Sequence, residues 1–166
     1  MGAGDLNGLV GAFADWAKRQ GEWRILVVCG SNAQLQEQLE EEYQQNPVVR
    51  CIGYTARMAD YMACCDVFAT KPGGLSSTEA AAVGIPIIHL SPIPGCETRN
   101  REYFSLKGMS LPLAGKEEVG KVMEQLADPS LRQSMIEAQH TYINGKAAKD
   151  ICDFLERMAG DRNVSI

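Results

Sequence analysis

Histidine is scarce in this sequence. Two residues, His89 and His140, in a chain of 166 are too few for a His-based metal cluster. The six cysteines, at 29, 51, 64, 65, 96 and 152, form no Cys-x-x-Cys pair. They read as reduced core thiols of a cytoplasmic protein, not as disulfides or zinc ligands. Positive charge is not in excess: 16 Lys and Arg stand against 21 Asp and Glu, for a net charge of −5. That excludes a general nucleic-acid binder. No apolar run approaches the roughly 20 residues of a membrane-spanning helix. The first residues lack a signal-peptide pattern. A peripheral contact with membrane lipid stays open. Neither an Asp-x-Asp metal motif nor a glycosidase-like carboxylate pair is present, and the P-loop order of glycines, lysine and hydroxyl residue is missing.

What the sequence does have is alternation. Arg24 to Cys29 is a short apolar run ending at Gly30, which predicts a buried strand. Ser31 and Gln34 then stand at capping-box spacing and predict a polar helix to about Gln45. Further strands are expected at Val48 to Ile52, Asp66 to Thr70, Pro86 to Leu90 and, shorter, Met109 to Leu113. Helices are expected at Leu6 to Gln20, Arg57 to Cys65, Leu75 to Val83 and up to Leu106, and two or three more between Gly115 and Ala159. Pro129 belongs in the first turn of one of them. Such alternation means a doubly wound α/β fold, a parallel sheet with helices on both faces. The domain is expected over residues 1–160, with 161–166 a tail.

In such sheets ligands bind beyond the carboxyl ends of the strands. The loops there are Gly30-Ser31-Asn32, Gly53-Tyr54-Thr55, Lys71 to Ser77 and Ser91 to Asn100. The third is the most informative. Gly73 and Gly74 remove side chains just before a helix, and Ser76, Ser77 and Thr78 add hydroxyls to its first turn. Free N–H groups and the helix dipole there favour an anion such as a phosphate. Ser76 and Glu79 equally fit a capping box, which needs no ligand. His89, in the apolar run Ile87-Ile88-His89-Leu90, reads as a core residue and not as a base.

The stretch "KPGGLSSTEAAAVGIPIIHLSPIPGCETRN" resembles the donor-site signature of the diacylglycerol glycosyltransferases of glycosyltransferase family 28. That group includes plant monogalactosyldiacylglycerol synthase and bacterial processive diacylglycerol glucosyltransferases. The resemblance extends back through "GYTARMADYMACCDVFATKPGG" and "ILVVCGSN" to "MGAGDLNG". It implies one half of a GT-B enzyme: the Rossmann-like, carboxyl-terminal domain that binds a UDP-sugar. In the family a strand precedes the glycine-rich loop that matches Gly2-Ala3-Gly4. The first strand is therefore expected to be missing here, leaving a gap or an open edge in the sheet and a tendency to self-associate.

By the same resemblance, Gly2, Gly4, Gly30 and Asn32 belong to donor-side loops. Gly53, Tyr54 and Thr55 match the segment against the uracil. Gly73, Gly74, Ser76 and Ser77 match the segment at the donor phosphates, and Glu79 the acid that accepts from the ribose hydroxyls. Gly95, Cys96, Glu97 and Asn100 match the hexose-binding segment. Cys96 stands where the family has Gln, and a thiol is a poor hydrogen-bond partner beside an amide. The implied reaction is inverting transfer of a hexose from UDP to a lipid hydroxyl such as that of diacylglycerol. The lipid would be held, and the base supplied, by a separate amino-terminal domain. No catalytic residue, metal or cofactor is expected in this chain, which alone is expected to be inactive. A UDP-GlcNAc 2-epimerase-like enzyme and a non-catalytic nucleotide-sugar-binding domain are the alternatives.

Overall fold

The computed structural model describes residues 6–161. Helix α1 (Leu6–Gln20) leads to strand β1 (Ile25–Val28), α2 (Ala33–Glu42), β2 (Val49–Ile52), α3 (Met58–Cys64) and β3 (Phe68–Thr70). Then come α4 (Gly74–Val83), β4 (Ile87–His89), α5 (Cys96–Leu106) and β5 (Leu111–Pro112). A 3-10 turn at Lys116–Glu118 enters α6 (Val119–Ala127), followed by α7 (Pro129–Tyr142) and α8 (Ala147–Asp161). The predicted alternation is thus present, with strands shorter than their apolar runs.

Local chemistry explains the boundaries. Asn32, not Ser31, caps α2, its Oδ1 accepting from the Leu35 N–H at 3.1 Å. That overturns the expected Ser31 capping box, and α2 stops at Glu42, short of Gln45, ahead of the turn at Asn46 and Pro47. Gly84 ends α4 in the left-handed region, at φ 78°, where a side chain is strained. Asp128 caps α7 with Pro129 in its first turn, as predicted.

All strand pairs are parallel, but they form two sheets, β1–β2 and β3–β4–β5. No ladder joins the two among the described residues. The Ile25 and Cys29 N–H groups donate to β2. Alternation in a parallel ladder therefore leaves Leu26 and Val28 facing the free edge of β1. Packing holds the sheets together instead. One apolar cluster takes Ile25 and Val48 from the first sheet, Ile88, Leu90 and Leu111 from the second, and Trp16, Val122 and Leu126 from α1 and α6. A second cluster lies on the other face, with Met62, Ala80, Ile87, Phe104 and Met109. Neighbouring Ile87 and Ile88 point to opposite faces and are both fully buried, so β4 is central. A third cluster packs Val10 and Leu39 from α1 and α2 onto β1 and β2. Helices α2 and α4 therefore cover opposite faces. Right-handed crossovers then carry β2 and β4 away from each other, and the direction of the sheet reverses between β1 and β3.

The cysteines depart from expectation. Only Cys29 is buried; Cys64, Cys65, Cys96 and Cys152 are exposed, and all are free thiols. Helix α8 presents Ile151, Phe154, Leu155 and Met158 on one face at helical spacing, each exposed by 45% or more. Among the described residues, no helix is long and apolar enough to cross a membrane.

Candidate functional site

The structure places the loops after β1, β2, β3 and β4 at the carboxyl ends of their strands. Gly2 and Gly4 lie outside the described residues. The remaining candidates fall into two groups.

The first group follows β1 and β2. A Cβ on Gly53 would sit 2.5 Å from Gln36 Oε1 and 3.8 Å from the Gly30 carbonyl. The end of the Gln36 side chain, from α2, lies against Gly53 and can swing aside, so this contact alone does not require glycine. That Gln36 neighbours this loop was not legible in the sequence. Tyr54 is 80% exposed, its ring free to meet a planar ligand. The Thr55 hydroxyl accepts from the Arg57 N–H at 3.0 Å, so it shapes the turn into α3. Asn32 is likewise occupied, as the cap of α2.

The second group follows β3 and β4. Helix α4 begins at Gly74, with Gly73 as its cap residue and no side-chain cap. The Ser76–Glu79 capping box is therefore absent, because the cap position lies at Gly73, three residues before Ser76. The Ser77 N–H closes the first turn onto the Gly73 carbonyl at 3.1 Å. The N–H groups of Gly74, Leu75 and Ser76 precede that bond and have no intrahelical acceptor. The expected run of three free hydroxyls shrinks to one. Thr78 Oγ1 donates back to the Gly74 carbonyl, and Ser77 is fully buried with its Oγ 3.0 Å from His89 Nε2. Ser77 thus faces the core and offers a ligand neither its hydroxyl nor its N–H, unlike its assignment from sequence. Ser76 keeps its hydroxyl. Glu79 is exposed, one turn into α4.

Gly73 and Gly74 have no conformational reason to be glycine. Gly73 is extended, at φ −70° and ψ 143°, and a Cβ there would meet nothing within 4 Å. A Cβ on Gly74 would touch only Asn100 Nδ2, at 3.9 Å. The space in front of the helix start is open.

Asn100 ties the two loops of this group together, its Nδ2 donating to the Pro72 carbonyl at 2.9 Å. Glu97 Oε2 accepts from the Ile93 N–H at 2.6 Å, bracing its own loop and leaving one carboxylate oxygen outward. Gly95 precedes α5 at φ 119° and ψ −126°, a conformation for glycine. Cys96 is exposed in the first turn of α5.

His89 lies under this group. It is fully buried, and burial, with a smaller push from Arg101, lowers its pKa to about 4. In the unfolded chain a histidine titrates near 6.5. The folded state therefore holds the neutral form, and this stability is complete above pH 6.5 and lost as pH falls toward 4. By pH 5 the loss reaches about 2 kcal/mol. Melting of His89→Leu should decline less than that of the parent between pH 7 and 5; parallel declines would remove this assignment.

Comparison with known proteins decides the family. The model for glycosyl transferases group 1 matches residues 5–141. The chain belongs to that family. A processive diacylglycerol β-glucosyltransferase of Staphylococcus carnosus (strain TM300) is 31% identical over 148 residues, covering 86% of this chain and 38% of the relative. That of Staphylococcus epidermidis (strain ATCC 12228 / FDA PCI 1200) is 30% identical over 137 residues, 80% of this chain and 35% of the relative. The glycosyltransferase chain thus spans less than two-fifths of these curated relatives. Among solved structures, MurG of Acinetobacter baumannii superposes with a TM-score of 0.66 at 18% identity, over 89% of this chain and 46% of that one. The pneumococcal O-GlcNAc transferase GtfA, solved with UDP and GlcNAc, gives 0.63 at 16% identity, over 95% of this chain and 33% of that one. The fold of this glycosyltransferase chain is accordingly that of one half of a GT-B enzyme.

Proposed function

We propose that this chain is the UDP-hexose-binding domain of a glycosyltransferase that transfers a hexose, with inversion, to a lipid hydroxyl such as that of diacylglycerol. One observation carries the reading. Gly73 and Gly74 are glycines that neither backbone conformation nor packing requires, directly before three N–H groups without intrahelical partners. A close-approaching anion explains both facts, and a diphosphate is such an anion. The same N–H groups would stabilise the charge that develops on the departing UDP. Gly53 and Tyr54 would receive the uracil, Glu79 the ribose, and the free oxygen of Glu97 the hexose. The Asn100 bond to Pro72 would fix the spacing between phosphate and hexose. In this reading no base is assigned among the described residues; that group and the acceptor pocket belong to a separate domain, which would also make any peripheral contact with the membrane.

Titration calorimetry with UDP, ADP and GDP tests the nucleotide assignment. UDP is expected to bind most tightly, because the loop at Gly53 offers its backbone to the base edge. Equal affinities for the three would remove uracil readout.

A further inference from the structure

The His89 side chain touches more of the site's supporting elements than its place in an apolar strand suggests. Its Nε2 lies 3.0 Å from Ser77 Oγ and its Nδ1 lies 3.0 Å from Ser110 Oγ. Both hydroxyls, like the ring, are buried. The edge-on ring of Phe104 packs at 5.2 Å. One imidazole therefore joins α4, which carries the phosphate-facing turn, α5, which follows the hexose loop, and the entry to β5.

A neutral ring carries one donor and one acceptor, and two rotatable hydroxyls complement it whichever nitrogen holds the proton. An apolar residue would fill the same space without asking for partners, as Ile87 and Ile88 do beside it. A fully satisfied polar group inside a core fixes geometry more tightly than apolar packing does. Ser77 is where that geometry matters. Its N–H closes the first turn of α4 onto Gly73, and its Oγ ties the same turn to β4.

We infer that His89 is a positioning residue for the phosphate end of the donor: through Ser77 it fixes the first turn of α4, so that the N–H groups of Gly74, Leu75 and Ser76 stay aimed at the open space before Gly73. This rests on the reading of that turn as a phosphate site. A second brace in the same sheet supplies the comparison. Gln139 Nε2 donates to the Ile85 and Met109 carbonyls, both at 2.9 Å, at the entry to β4 and ahead of β5. It is equally buried but stands away from α4's start.

The test measures affinity for UDP and for uridine, so that the phosphate contribution is read as a ratio. The full chain is compared with His89→Leu, Ser77→Ala, His89→Gln and Gln139→Leu. His89→Leu and Ser77→Ala should each lower the UDP-to-uridine ratio by about tenfold, the scale of one lost hydrogen bond, with uridine binding unchanged. His89→Gln, which keeps a donor and an acceptor, should recover part of the ratio. Gln139→Leu should lower the melting temperature and leave the ratio as it was. If His89→Leu does not fold, Ser77→Ala, which removes a single oxygen, carries the test. A parent ratio retained by folded Ser77→Ala or His89→Leu overturns the inference alone. A parent chain that binds UDP no better than uridine overturns the phosphate reading beneath it.

Discussion

Gly73→Val should leave the domain as stable as the parent and weaken UDP binding by about 10- to 150-fold. The two halves of this expectation have separate grounds. A valine is compatible with the extended backbone at Gly73, and its Cβ would meet no atom within 4 Å, so little folding stability is expected to be lost. The branched side chain would project into the open space before the helix start and hold a phosphate away from the Gly74, Leu75 and Ser76 N–H groups. Hydrogen bonds to a charged group contribute about 1.5–3 kcal/mol, and each 1.4 kcal/mol is about tenfold in affinity. Gly74→Ala is the gentler companion: it should stabilise α4 by about 0.5–1 kcal/mol while still lowering affinity. Melting curves and calorimetry on the same samples read both quantities. Unchanged UDP affinity in Gly73→Val would mean that the glycines serve something other than a ligand.

Glu79→Ala should cost UDP binding about 1.5–3 kcal/mol with no change in melting temperature. Sequence alone leaves two roles for this carboxylate, ribose contact and helix capping, and they predict opposite outcomes. The structure removes the second, since α4 starts at Gly74 without a side-chain cap. Glu79 is exposed and makes no hydrogen bond or ion pair among the described residues. Its deletion therefore disturbs nothing within the chain. A variant that melts lower but binds UDP as the parent does would return Glu79 to a structural role.

The order of elements was legible because each apolar run is short and ends in glycine or proline, which leaves little choice between strand and helix at Ile25 to Val28 or Ile87 to His89. Loop positions followed from the order. The fate of individual hydroxyls was not legible. Ser76 and Ser77 are adjacent and chemically identical, yet one faces outward and the other contacts His89, because a helix starting at Gly74 rotates consecutive residues by about 100°. A cap three residues earlier, at Gly73, was enough to dissolve the Ser76 capping box, and a cap one residue later moved that of α2 from Ser31 to Asn32. Asn100 was read as a sugar ligand from resemblance; its bond to Pro72, 28 residues earlier, is a tertiary fact that no local pattern encodes.

The break in the sheet has a consequence for how the domain comes apart. The loops assigned to the base, after β1 and β2, stand on one sheet; those assigned to phosphate and hexose, after β3 and β4, stand on the other. Backbone hydrogen bonds unite the strands beneath each pair of loops, while among the described residues side-chain packing around Trp16, Ile25 and Ile88 unites the two pairs. A packed seam without a ladder is expected to open before either sheet does, which hydrogen exchange would read as weaker protection along the facing edges of β1 and β3. A nucleotide sugar reaching loops of both sheets would then close that seam, and bound ligand should raise the protection of both edges together.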